Sequence, residues 1–331
     1  MSSPRPLAKG LSLYPSRPVQ ETRRLACLAE ELGYSHLWFG DSQNIWREAY
    51  TSMAASAVDT SRITIGTAVT NGVTRHRSVV ASSWSTLHEL AGGRVAAGFG
   101  VGDSALHTMG ATPMKVAELE HLVGDLRTLW QGREVRAPGG ESGYRLAYLP
   151  EPVEVPVYIA ASGPRLLELA GRVADGVILL VGTDSDAVSS ALAVLGEAAA
   201  EAGRSLSDID IVLWAPTAID DDPDRARDRV RAHVSRTVLR PIRVDLSERE
   251  LAAIEAIRKH YDYYDHMVPG SDHSRLVIDE LVDRFALAGS RAEVGDRLKH
   301  LEGLGVTQVG IIPFGESNDS IDQVIRDFSG L

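Results

Sequence analysis

A short apolar run, a polar turn and then a longer stretch with apolar residues at helical spacing recur along most of this chain. Leu11-Ser12-Leu13-Tyr14 predicts a first strand, and Pro18 to Gly33 a helix that Pro opens and Gly closes. His36 to Gly40 predicts a second strand, Ile63 to Thr70 a third, and Ser78 to Leu90 the helix after it. Arg94 to Gly100 predicts a fourth strand, followed by a long helix over Lys115 to Trp130. The rhythm breaks between Gly132 and Pro156, where Arg136 to Tyr144 has the Pro-Gly-Gly turn chemistry of a hairpin. It resumes with a strand over Pro156 to Ala161, a helix over Pro164 to Val173, a strand over Gly176 to Val181 and an Ala-rich helix over Ser185 to Ala202. Ile209 to Pro216 predicts the seventh strand, Thr307 to Pro313 the eighth, and Asn318 to Phe328 a closing helix.

Strands that are apolar throughout, rather than alternating, belong to a parallel sheet buried on both faces. Eight such units favour an α/β fold closed into a (β/α)8 TIM barrel, a single domain over 1–331. Two insertions interrupt it, about 132–156 and 220–303. The second is a helical excursion between strands seven and eight, with helical patterns near Asp224–Ser235, Ser247–Tyr263, Ser274–Leu287 and Arg291–Leu304.

Charge narrows the partners. Asp plus Glu number 45 against 34 Lys plus Arg, a net charge of −11, which argues against nucleic-acid binding. No run of about 18 apolar residues predicts a membrane span. The beginning of the sequence lacks the apolar core of a signal peptide. The one cysteine, Cys27, sits at helical spacing in Arg-Leu-Ala-Cys-Leu-Ala, as a buried core thiol would. A cytoplasmic protein without disulfides is expected.

In such barrels the chemistry lies in the loops after the strands. Asp41-Ser42-Gln43-Asn44, with Trp46 just beyond, follows strand two. Asn71 to Arg77, including Arg75 and His76, follows strand three, and Gly100-Val-Gly-Asp103-Ser104 follows strand four. Ser162-Gly163-Pro164 follows strand five and Gly182-Thr183 strand six. Plainer roles fit each: Asp41 as an Asx cap, Gly100-x-Gly102 as a tight turn without the third glycine of a dinucleotide fingerprint, Ser162-Gly163 as an ordinary helix start. A helix start of that kind also offers free N–H groups to a phosphate. His260, His266 and His273 fall in the excursion without ligand spacing, so no metal site is expected. Neither Gly-x-Ser-x-Gly nor His-Glu-x-x-His occurs.

Four stretches, in order, resemble the luciferase-like superfamily of flavin- and deazaflavin-dependent oxidoreductases: Ala29 to Asp41, Ile65 to Asn71, Leu87 to Asp103 and Ala161 to Gly176. The resemblance spans Leu7 to Val181 and Val306 to Gly315, with the excursion matched least. Within the superfamily the chain is more similar to the branch that uses coenzyme F420, of the methylenetetrahydromethanopterin reductase kind. The resemblance implies F420 as cofactor, with FMN as the alternative in a luciferase-like monooxygenase. It implies a homodimer and a small-molecule substrate. It sets Asp41, Gly100, Gly102 and Asp103 beside the ring, a non-proline cis peptide at Ala68-Val69 behind it, and Ser162, Gly163 and Thr183 near the cofactor phosphate. The implied reaction is hydride transfer between the deazaflavin C5 and a ketone, imine or conjugated alkene. Asp41 would orient or polarise the ring, His76 or His107 would donate the proton, and Trp46 would wall the substrate pocket. Ser42 stands where the sugar-phosphate enzyme of this branch has His, and few lysines are present to grip a sugar phosphate, so that substrate is not expected.

Overall fold

A computed structural model describes residues 7–136, 142–240, 245–262, 264–265 and 268–331. The apolar strands are buried on both faces because helices cover the outside and large side chains fill the inside. In chain order the elements begin β1 (Ala8–Leu13), α1 (Val19–Glu31), β2 (His36–Phe39), α2 (Ala49–Asp59), β3 (Thr64–Thr67), α3 (Arg77–Leu90) and β4 (Val95–Phe99). There follow α4 (Ser104–Met109), α5 (Val116–Trp130), the hairpin β5 (Val135–Arg136) and β6 (Gly143–Tyr144), β7 (Val157–Ala161), α6 (Pro164–Val173), β8 (Gly176–Leu179) and α7 (Ser185–Glu201). The last part is β9 (Asp210–Ile219), α8 (Pro223–Thr237), α9 (Glu248–His260), α10 (Asp279–Phe285), β10 (Leu287–Gly289), α11 (Arg291–Gly303), β11 (Gln308–Pro313) and α12 (Asn318–Ser329).

Eight parallel strands close a barrel in the ring order β1, β2, β3, β4, β7, β8, β9, β11, with β11 returning to β1. Trp38, Tyr158 and Trp214 fill its interior with Ala96, Ala160, Ile178, Val212 and Ile312. Size alternates across the strands to admit them. Trp38 stands in register with Gly66, where a Cβ would lie 2.6 Å from its ring and 2.5 Å from the Ala96 carbonyl oxygen. The TIM barrel expected from the strand pattern is therefore present, and the expected hairpin appears as β5 and β6, its tip (137–141) lying outside the described residues.

The excursion is anchored by a ninth parallel strand. β9 is long: Asp210–Leu213 pair with β8, and Thr217–Ile219, past the end of β8, pair with β10. Val230, Val234, Ile254, Ile257, Leu281 and Phe285 give the excursion a small core of its own. Because it leaves from the carboxyl end of β9, α8 lies over the barrel mouth.

Three local readings are corrected. Ser274–Leu287 is not one helix: Ser274–Leu276 is a 3₁₀ turn, α10 covers Asp279–Phe285, and Leu287 opens β10. A short apolar run is compatible with either period, and the free edge of β9 decides for strand. α11 is the crossover helix between β10 and β11 and belongs to the barrel's outer layer, so the excursion proper ends before Leu287. α2 is a helix that the apolar spacing does not mark. Its buried face includes Ser52 and Ser56, whose hydroxyls donate to the carbonyls of Glu48 and Ser52 (2.9 and 3.0 Å), so polar residues pack inward satisfied.

Candidate active site

The loops after the strands enclose a cavity of about 290 Å³ at the barrel mouth. One wall is apolar, made by Ala68, Val69, Ala160, Leu166, Ile178, Leu180 and Trp214. The peptide Ala68-Val69 is cis, as the resemblance implied, and lies in a bulge at the end of β3. The bulge is held on both sides: the Ala68 N–H donates to the Phe39 carbonyl (2.8 Å), and the Thr70 N–H donates to the Gly98 carbonyl (2.9 Å). Gly102 has φ +93°, a left-handed conformation that favours glycine and carries the chain from β4 into α4.

Asp41 is buried at the rim and its carboxylate is fully engaged. Thr70 Oγ1 and Arg75 Nη1 donate to Oδ2 (2.7 and 2.6 Å), and Gln43 Nε2 and Arg75 Nη2 donate to Oδ1 (2.6 and 3.2 Å). An ionised carboxylate has about four acceptor sites. These four bonds occupy the carboxylate and tie the loop after β2 to the loop after β3. Arg75 also bonds Glu48 (2.7 Å) and lies over the Tyr50 ring. Its carboxylate partners hold its pKa above the ordinary arginine value even though its burial acts the other way.

Of the residues singled out in the sequence, Asp41, Trp46, Ala68, Val69, Gly100, Gly102, Asp103 and Ser162 line the cavity. Gly163 is the N-cap of α6 beside Ser162. Thr183, His76 and His107 are not among the lining residues. Thr183 is buried, its hydroxyl shared between the Arg284 and Ala286 carbonyls (3.3 and 3.2 Å) and bonded by Arg297, so it fastens the end of β8 to the excursion. His76 is the N-cap of α3, its Nδ1 accepting from the Ser78 N–H at 3.3 Å, which ties that nitrogen to its own helix. His107 stands exposed in the last turn of α4.

The excursion and the first strand supply what sequence reasoning missed. His233, Arg236 and Arg240 from α8 and its end line the cavity with Tyr14 from the end of β1. The spacing 233, 236 puts the first two on one face of α8, and Arg240 follows in the turn after its end. Arg236, itself buried, pairs with the half-exposed Asp103 and so bridges the excursion to the loop after β4. The Tyr14 ring stacks on Trp46 with centroids 4.4 Å apart, and its hydroxyl lies 3.2 Å from His233 Nε2. Trp214 hydrogen-bonds the same phenol. Indole is a donor only, so the phenol oxygen accepts from Trp214, and the phenol and His233 Nε2 share a proton between them, the phenol donating or the imidazole donating according to the ring's tautomer. Burial pushes the Tyr14 pKa well above its ordinary value, so the phenol keeps its proton at neutral pH.

A closed (β/α)8 barrel with a half-apolar, half-polar cavity at the carboxyl ends of its strands has the architecture of a barrel enzyme with its active site at the mouth. The chain belongs to the luciferase-like monooxygenase family, whose model matches residues 5–308. It is 29% identical to the 5,10-methylenetetrahydromethanopterin reductase of Methanolobus tindarius over 314 residues, 91% of this chain and 92% of that protein. Over 220 residues it is 33% identical to the F420-dependent glucose-6-phosphate dehydrogenase of Beutenbergia cavernae, 62% of this chain and 66% of that one. Its fold matches the coenzyme F420-dependent tetrahydromethanopterin reductase of Methanopyrus kandleri with a TM-score of 0.78 at 24% identity, covering 98% and 97% of the two chains.

Proposed function

We propose that this protein is an F420-dependent oxidoreductase that reduces, or forms by the reverse reaction, a small ketone, imine or conjugated alkene. The observation that carries the reading is the mixed lining of the cavity: the Ala68-Val69 bulge and its apolar neighbours together with Tyr14, His233 and the Asp103–Arg236 pair. A flat tricyclic ring suits the apolar wall. Ser162, and the N-terminus of α6 whose cap residue Gly163 makes no side-chain cap bond, suit a phosphate-bearing tail. Relatives named as F420-dependent glucose-6-phosphate dehydrogenases, matched over 66–67% of their length, support the same choice of cofactor.

When bound, the deazaflavin supplies or takes the hydride at C5. The chain's own residues have three tasks. Val69, Ala160, Ile178 and Leu180 exclude water from the ring's face. Asp41, saturated by Thr70, Gln43 and Arg75, fixes the two loops that frame the ring. Tyr14 and His233 hold a proton at the cavity wall, in reach of a substrate oxygen or nitrogen that gains electron density. A buried phenol donates readily to an alkoxide, which is far more basic than a phenolate.

A side-by-side titration with F420 and FMN, followed by cofactor fluorescence, tests the reading. Micromolar F420 binding with FMN much weaker is expected. Preferential FMN binding would overturn it in favour of an oxygen-dependent, flavin-using enzyme.

A further inference from the structure

The charges lining the cavity do not cancel. They are Asp41, Asp103, Arg236 and Arg240. Asp41 is neutralised by Arg75, and Asp103 by Arg236. Among the described residues the Arg240 side chain has no carboxylate or hydrogen-bond partner, and 241–244, which follow it, contain no acidic residue. Burial pushes its pKa below the ordinary arginine value, with only the Tyr14 and Tyr261 phenols acting against it. Arg240 is partly exposed at the cavity rather than sealed from water, so a ligand's anion can reach and pair with its guanidinium.

Its place in the ring says which ligand. Arg240 follows α8, whose His233 meets the Tyr14 hydroxyl (3.2 Å) at the end of β1, whereas Ser162 follows β7, four strands away around an eight-stranded ring. Ser162, assigned above to the cofactor phosphate, and Arg240 are therefore carried by different elements of the cavity wall. We propose, building on the F420 reading, that Arg240 anchors a carboxylate on the substrate, so that the compound reduced is an oxo, imino or unsaturated acid whose reacting carbon lies between Arg240 and the apolar wall. One free guanidinium matches one carboxylate in a two-pronged pairing; among the described residues no second free cation lines the cavity to balance a phosphate dianion.

The test uses linear oxo acids of four to eight carbons, their methyl esters, and phosphate monoesters of hydroxy ketones of the same length. Binding is measured by calorimetry on the whole protein, with and without F420, for wild type, Arg240→Met and Arg240→Lys. At least one acid is expected to bind ten-fold or more tighter than its ester. Arg240→Met removes that preference and Arg240→Lys restores part of it, while F420 affinity stays within about two-fold. Equal binding of acids and esters across the series, preference for the phosphates, or a loss of F420 affinity in Arg240→Met matching the loss of acid binding would each overturn the proposal. If wild type binds no F420 yet binds an acid through Arg240, the F420 reading falls and the carboxylate anchor stands.

Discussion

Asp41 and Arg75 form a two-pronged ion pair at the barrel mouth, Nη1 to Oδ2 at 2.6 Å and Nη2 to Oδ1 at 3.2 Å, with the Asp41 carboxylate almost wholly out of solvent. Breaking a buried pair from one side strands the other charge and typically costs about 3–5 kcal/mol. Arg75 would keep Glu48 at 2.7 Å, a partner that is half exposed and so only a partial substitute. Asp41→Ala is therefore expected at the lower end, about 3 kcal/mol in urea unfolding, and Asp41→Asn, which preserves shape and some hydrogen bonds, at less. F420 affinity should fall with the loops' order. An Asp41→Ala protein within about 1 kcal/mol of wild type would show that the pair does not hold the rim.

Tyr14 and His233 lie 219 positions apart in the chain and meet at 3.2 Å. As a pair that carries one proton they should fail together. Tyr14→Phe and His233→Gln are each expected to lower kcat by about 10²-fold, the usual scale for a lost proton donor. The double variant should be little worse than either single one, because groups acting as a unit are not additive. F420 binding should persist in both, and the pH profile of kcat should change shape in both. Unchanged kcat in either single variant would remove the pair from the chemistry.

The rim of the site was legible in the sequence, and its cover was not. Asp41, Gly100, Gly102, Asp103 and Ser162 each follow a readable apolar strand, and a barrel brings every strand end to one mouth. His233, Arg236 and Arg240 lie on and after α8, well past the loop that directly follows β9. They reach the mouth because β10 pairs with the free edge of β9 and because α8 packs on Ile254, Ile257 and Phe285 of the excursion. Their signal, the spacing 233, 236, 240, is drowned by Arg225, Arg227, Arg229 and Arg231 earlier in the same helix, which make it read as a solvated face. His76 and His107 stood out only because they sit near strand ends. Residue type and loop position do not reveal that His76 Nδ1 caps its own helix or that neither histidine is among the residues lining the cavity.

Far from the mouth, at the start of β2, burial pushes the His36 pKa from 6.5 down to about 4, and Asp210 only partly offsets it. The neutral ring fits a chain of bonds: Gln308 Nε2 donates to His36 Nδ1 (2.9 Å), and Trp38 Nε1 donates to Gln308 Oε1 (2.7 Å). Protonating Nδ1 would set two donors against each other. Below pH 6.5 the unfolded chain therefore takes up a proton that the folded protein refuses, and stability falls as pH drops toward 4, with no effect above 6.5. At 1.36 kcal/mol per pKa unit the full loss is roughly 3 kcal/mol at pH 4, and about 1 kcal/mol is gone by pH 5.5. His36→Gln keeps a hydrogen-bonding side chain but cannot take up that proton. Its urea midpoint should start below wild type at pH 7 and decline less steeply between pH 6.5 and 4. Parallel declines in the two proteins would show that His36 does not set the acid sensitivity of this barrel.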